Sequence, residues 1–146
     1  MPGATWPNGL YAAAGRANGS KDNQRVPIYN LPSFVRHLDA RGVSRRWYAH
    51  VVATLRLIDA QYRVGHFDHF YAFEQSTPWG RETFLYHAAS GDLAAVSWID
   101  PNFVNLGGPS TSNDDHPPSD LRAGQALVVK LYTAASTARR GRAHCR

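Results

Sequence analysis

The sequence predicts an α/β protein with a mainly parallel sheet, and a few observations carry that prediction. Segments with apolar residues at helical spacing alternate with short runs rich in aromatic and β-branched residues. Their order is helix, strand, helix, strand, loop, helix. Residues 93–99, Leu-Ala-Ala-Val-Ser-Trp-Ile, form a near-continuous apolar run, as expected of a strand buried in a parallel sheet. A long stretch of Pro, Gly, Asn, Asp and Ser, residues 100–118, follows. A connection this long without its own structure inside a compact domain is usually functional.

Residues 1–25 are rich in Gly, Asn and Ala, with turn signals at Pro7-Asn8-Gly9 and Asn18-Gly19. A short helix is expected at Leu10–Ala14. Residues 31–41 carry Leu31, Phe34, Val35 and Leu38 at helical spacing, with Pro32 in the first turn and Gly42 as the stop. Val43–His50 alternates and reads as a strand. Residues 51–63 fit neither period. Residues 64–79 hold His66, His69 and several aromatics without a clear period, and are expected to be a loop. A second helix is expected from Gly80 to Ser90, with Phe84, Leu85 and Ala88 on one face and Gly91 as terminator. A last helix is expected from Ser119 to Ser136, with Ser119 as N-cap and Asp120 placed favourably against the helix dipole.

The chain of 146 residues is long enough for one compact domain, and 43% hydrophobic with 18% charged residues excludes a disordered chain. No apolar run approaches the roughly 20 residues needed to span a bilayer. The first residues show neither a basic n-region nor an apolar h-region, so no signal peptide is expected. The single cysteine, Cys145, excludes an internal disulfide and a Cys-based metal cluster. The net charge of +5 comes from the end of the chain: taking Arg139, Arg140, Arg142 and Arg146 from the 16 Lys+Arg leaves 12 against 11 Asp+Glu. A basic tail can bind nucleic acid or anionic lipid. No aromatic residues are interleaved there to stack on bases, so nucleic acid is not the expected partner and residues 138–146 are expected to form a disordered tip.

The segment 113–120, Asn-Asp-Asp-His-Pro-Pro-Ser-Asp, is the densest in chemistry. It places His116 on a stiff loop ahead of a helix N-terminus, where unpaired amides and the positive end of the dipole suit an anion. His116 can contact a phosphoryl oxygen or act as a general acid, or be a surface histidine held by Asp114 or Asp115. Those adjacent carboxylates could take a divalent metal, although loop carboxylates of this kind are more often solvated. His66 and His69 flank Asp68 at a spacing that suits metal only on a helix. His37 and His87 are expected on helix surfaces. His50 ends a strand on the edge where parallel sheets bind ligands. Thr5 precedes Trp6-Pro7-Asn8, a turn that can present a hydroxyl in front of helix amides.

Taken together, several segments resemble the bacterial phosphoesterase family, which includes non-specific phospholipases C and acid phosphatases of the alkaline-phosphatase-like superfamily. Ala4-Thr5-Trp6-Pro7-Asn8-Gly9-Leu10-Tyr11 is similar to the family's Thr-x-Pro-Asn-Arg-x-Tyr segment. Gly42-Val-Ser-Arg-Arg-Trp-Tyr48, with Leu31-Pro-Ser-Phe before it, resembles its Gly-Val-Ser-Trp-Arg-x-Tyr unit. Val96-Ser-Trp-Ile-Asp-Pro-Asn-Phe103 with Asp114-Asp-His-Pro-Pro-Ser-Asp120 resembles its strand, long loop and His-Pro segment. The resemblance runs to about Thr137, so residues 1–137 are expected to be a partial phosphoesterase domain.

The resemblance implies part of a three-layer α/β/α sandwich and hydrolysis of phosphoric esters. It gives Thr5 the roles of nucleophile and metal ligand, and His116 a place in the phosphate pocket. It implies a divalent metal and a phosphoester substrate, either a phospholipid head group or a small phosphomonoester. The family's upstream Glu-Asn-Arg-Ser-Phe segment and downstream acidic pair are absent. Gly9 stands where the family usually has Arg, and Arg45 where Trp is usual. The end, Ala-Arg-Arg-Gly-Arg-Ala-His-Cys-Arg, does not resemble the family's next strand, as after a frameshift. The expectation is therefore an internal fragment carrying the nucleophile without most metal ligands, weakly active or inactive and prone to self-association through exposed sheet edges. Relatives are often exported. The alternative is a non-catalytic anion- or nucleic-acid-binding module.

Overall fold

The computed structural model describes residues 4–23, 28–50, 53–63, 70–72, 82–103, 112–114 and 120–143. The chain divides into two compact units, one of Met1–Ser44 with Ala53–Asp68, the other of Arg45–Val52 with His69–Arg146.

The first unit holds α1 (Thr5–Ala14), α2 (Phe34–Ala40), α3 (Leu55–Ile58) and a 3-10 turn at Ala60–Tyr62. Leu10 and Ala13 of α1 are buried with Ala17, Leu31 and Ile58, and Tyr29 packs against them. Extended residues before α2 bind the end of α3: the Tyr29 amide donates to the Leu57 carbonyl at 2.7 Å, and the Leu31 amide to that of Ile58 at 2.9 Å. The helix expected at Leu10–Ala14 starts earlier, at Thr5. Proline lacks an N–H and has a helical φ, so Pro7 is tolerated in the first turn, and its ring is buried on the same face as Leu10 and Ala13.

The helix expected over 31–41 is shorter. Pro32 lies outside it, and Ser33 takes the N-cap conformation with φ −91° and ψ 163°. Asp59 decides this boundary. Its buried carboxylate accepts from the Ser33 amide at 2.9 Å and the Ser33 hydroxyl at 2.8 Å, which holds Ser33 extended. Gly42 ends the helix as expected, at φ +63°, a region glycine enters without steric cost.

The second unit contains a parallel sheet of β1 (Arg45–Ala49), β2 (Phe70–Ala72) and β3 (Val96–Asp100) in the order β2-β1-β3. The α/β expectation with a parallel sheet therefore holds. Trp47 pairs with Phe70 on one side and Trp98 on the other. β2 lies within residues expected to be a loop. Its identity as a strand comes from pairing with β1 and not from any alternation of its own; the rest of 64–79 lies outside the described residues. β3 is shifted towards Asp100 relative to the expected 93–99, and it is an edge among the described strands, with residues 96–99 half-buried.

Two helices pack in this unit, α4 (Phe84–Ala89) and α5 (Leu121–Ala143). Tyr48, Phe84 and Leu127 form its core, with Ile99, Leu131 and Ala134 packed against them. Thr83 caps α4 by accepting from the Tyr86 amide at 3.1 Å, so the helix begins after the expected Gly80, and Gly91 terminates it at φ +72°. α5 is capped by Asp120, whose carboxylate accepts from the Arg122 amide at 2.9 Å; the expected cap, Ser119, lies outside the described residues. α5 runs past Ser136 to Ala143, so the basic segment expected to be a disordered tip enters the helix. Arg and Ala are strong helix formers, and cations are favoured near a helix C-terminus.

Candidate active site

Residues singled out by sequence lie in both units. In the first, Thr5 is the first residue of α1 and is half-buried. The residue before it, Ala4, occupies the N-cap position at ψ 159° and has no side chain that can accept from the first-turn amides. Asn23 takes that role from 17 residues away, accepting from the Trp6 amide at 2.9 Å. The Asn8 amide donates to the Ala4 carbonyl at 3.2 Å, and Pro7 has no N–H. No acidic residue stands in the first turn. The Thr5 hydroxyl therefore sits at the positive end of a helix dipole that no carboxylate on that helix neutralises. Gly9, one turn on, is open: a Cβ built there meets nothing within 4 Å.

The second group lies at the carboxyl ends of the strands. His50 directly follows β1 and is half-buried. Asp100 ends β3 opposite Ala49. Its side chain is 3% exposed and accepts from the indole N–H of Trp47 at 2.6 Å and of Trp98 at 3.2 Å. The two indoles stack, 4.8 Å between centroids, so one carboxylate ties together two neighbouring strands at their ends. Just beyond, the long loop is pinned at its base. The Asn102 amide donates to the Asn113 side-chain oxygen at 2.6 Å, and the Asn113 amide to the Asn102 carbonyl at 3.1 Å. This clasp returns residues 112–114 to the carboxyl end of β3. There the Ser112 hydroxyl donates to the Asp114 carboxylate. Asp115 and His116 lie outside the described residues, as do His66 and His69.

His87 is corrected. Expected on a helix surface, it is 2% exposed, with Nδ1 at 2.9 Å from the Tyr48 hydroxyl. Burial, then the Arg46 charge, holds its pKa below the ordinary value. The helical spacing could not reveal this, because the burial comes from Tyr48 on a strand distant in sequence. His37 is exposed, as expected. Asp59 was not anticipated either. It is fully buried and accepts from Ser33, from both Nε (2.9 Å) and Nη2 (2.6 Å) of Arg36, and from the Gln61 amide at 3.1 Å. Burial alone raises a carboxyl pKa, but the Arg36 and Ser33 hydrogen bonds outweigh it and hold Asp59 below the usual range. Asp59 also caps the following 3-10 turn at Ala60–Tyr62, a role that no local sequence period marks.

No group of three or more His, Cys, Asp or Glu able to hold a metal occurs among the described residues. Asp59 is committed to Arg36, Asp92 to Arg46 at 2.8 Å, and Asp120 to Arg122 at 2.6 Å. Thr5, the expected ligand, belongs to no such group among the described residues.

The Phosphoesterase family model matches residues 1–143. The chain is similar to non-specific phospholipase C3 of Arabidopsis thaliana, 27% identical over 138 residues, covering 92% of this chain and 25% of that protein. It is also similar to non-specific phospholipase C6 of the same plant, 24% identical over 137 residues with the same shares covered. The chain thus spans about a quarter of the length of the curated relatives it matches.

Proposed function

The chain belongs to the phosphoesterase family, and from that premise we propose that it carries the nucleophile segment of a phosphoester hydrolase. In this reading the Thr5 oxygen bonds to phosphorus as the ester bond to the leaving alcohol breaks. The Thr5 proton passes to solvent, the departing alkoxide takes one from His116, and water then attacks phosphorus, breaking its bond to the Thr5 oxygen, which regains a proton. His116 is the phosphate-facing residue and the candidate proton donor to the alkoxide. The observation that carries the reading is the position of Thr5 at the start of α1, with no acidic residue in that turn. The positive end of the α1 dipole favours a phosphoryl dianion there, although the Trp6 and Asn8 amides are already bonded.

The family implies a divalent metal, which would lower the hydroxyl pKa. The described residues do not supply its ligand group, so no step is assigned to it. In this reading the chain by itself is a slow catalyst, and the second reading is a phosphate-binding module without turnover. The substrate class proposed is a phospholipid head group or a small phosphomonoester, in keeping with relatives named as phospholipases C.

The test measures hydrolysis of 4-nitrophenyl phosphate and binding of inorganic phosphate by the chain and by Thr5→Ala and Thr5→Ser. Hydrolysis near background, with phosphate binding weakened by Thr5→Ala and kept by Thr5→Ser, is expected. Ready hydrolysis that Thr5→Ala leaves unchanged removes Thr5 from the reaction. Phosphate binding unaffected by either variant removes the helix start from the anion site.

A further inference from the structure

A closed ring of hydrogen bonds joins β1 to the far end of α4. On β1, the Arg46 guanidinium donates to the Asp92 carboxylate at 2.8 Å and to the Asp92 carbonyl. Arg46 is also hydrogen-bonded to the Tyr48 hydroxyl, on the same strand. That hydroxyl lies 2.9 Å from His87 Nδ1. The ring closes where the Asp92 amide donates to the His87 carbonyl at 2.8 Å. Tyr48 and His87 are both buried, and Phe84 of α4 packs edge-on against the Tyr48 ring at 5.2 Å.

The donors fix the protons. A guanidinium donates and never accepts, so the Tyr48 oxygen accepts from Arg46. Its single proton is then turned to His87, where Nδ1 accepts it. His87 is therefore the neutral imidazole with its proton on Nε2. A second ring proton, on Nδ1, would meet the hydroxyl proton head-on. Tyr48 would then stand between two cations, with its own proton displaced from its acceptor.

We propose that this ring is an acid-released latch: with His87 neutral it fastens α4 to β1, and protonation of His87 lets the helix go. The charges around His87 are divided. Arg46 on β1 opposes an imidazolium, while Glu82 before α4 and Asp92 after it favour one. Tyr86 contacts the imidazole from α4 itself. The residues of α5 and β3 in this core, Leu127, Leu131, Ala134 and Ile99, are apolar. Burial and Arg46 outweigh the two carboxylates, and the folded pKa lies below the ordinary 6.5. The latch is therefore closed above that pH and weakens as the pH falls from there towards the folded pKa. It does not involve Thr5 and stands apart from the reading of that residue.

Two measurements on the full chain test this. NMR follows the tautomer and titration of the His87 ring. Amide hydrogen exchange, corrected for the intrinsic rate, follows protection at His87 and Asp92, with the amides of α1 as the reference. His87 is expected as the Nε2–H tautomer, titrating below 6.5. Protection at His87 and Asp92 is expected to fall about tenfold per pH unit between 6.5 and the folded pKa, with α1 unchanged. His87→Gln, whose side-chain oxygen can accept from Tyr48 but does not titrate, is expected to keep its protection across that range. Arg46→Met leaves the Tyr48 oxygen to accept from His87 and is expected to move the His87 titration up. An Nδ1–H tautomer in the parent, or titration at or above 6.5, overturns the proposal without recourse to a variant. So does protection that does not change with pH, that falls equally in His87→Gln, or that falls in α1 to the same extent. A His87 titration unmoved by Arg46→Met removes the ring from the device and overturns it too.

Discussion

Replacing Asp59 by Ala strikes a carboxylate on which several segments of the first unit converge. It is fully buried and accepts five hydrogen bonds, from the Ser33 amide and hydroxyl, Arg36 Nε and Nη2, and the Gln61 amide. Breaking a buried ion pair by removing one partner costs about 3–5 kcal/mol, because the other groups are left unpaired. Here the Arg36 side chain is 34% exposed, so water can take up part of its charge, and the lower end applies, about 3 kcal/mol. For a chain of this size that corresponds to a Tm lower by roughly 6–12 °C. Asp59→Asn keeps the shape and one acceptor and is expected to lose about half as much. Thermal and urea unfolding followed by circular dichroism would measure both.

The pH dependence has a definite sign. The folded pKa of Asp59 is lowered, so its contribution is complete above the ordinary carboxylate pKa of about 4. It is lost as the pH falls below that value through the folded pKa. Asp59→Ala should therefore differ from the parent most at neutral pH and converge with it in acid. A loss under about 0.5 kcal/mol at neutral pH, as for an ordinary surface substitution, would refute the claim that Asp59 organises this unit.

Glycine substitutions in the first unit should have opposite signs by position. Gly9→Ala, inside α1 with open space around its Cβ, is expected to stabilise by about 0.5–1 kcal/mol; Gly42→Ala, at φ +63°, is expected to destabilise by about 1 kcal/mol. Urea midpoints would report both. In the second unit, Tyr48→Phe leaves the buried His87 Nδ1 without the hydroxyl 2.9 Å away and is expected to cost about 1–2 kcal/mol. Because the folded His87 pKa lies below its ordinary 6.5, its effect on stability is flat above that pH, and stability falls as the pH drops from there towards the folded value; His87→Gln should remove that part of the slope. Asp100→Ala, which removes the acceptor of two indole N–H groups, is expected to cost about 2 kcal/mol and to shift tryptophan fluorescence.

Much of the architecture was legible because it is local. Gly42 and Gly91 end their helices at the expected positions, since glycine reaches positive φ without penalty. The strand at Val43–His50 was readable from alternation, and the helix after the long loop from its apolar spacing. Departures arose where a distant partner chose between local options. Ser33 left α2 because Asp59 binds it, β2 is a strand because β1 pairs with it, and His87 is buried because Tyr48 reaches it. None of these partners is within helical or hairpin range in sequence.

The sequence alone determined the α/β class, the parallel character of the sheet, the family and the candidacy of Thr5. These rest on periodicity and on short motifs, which act over a few residues. Only the tertiary structure decided that Thr5 opens a helix, with Asn23 supplying the cap that Ala4 lacks. It alone showed Asp100 spanning the ends of β1 and β3 through two tryptophans, and the Asn102–Asn113 clasp returning the long loop to the sheet. Such hydrogen bonds join residues far apart in the chain, and the loop-closure entropy they must overcome is offset only when the whole unit packs.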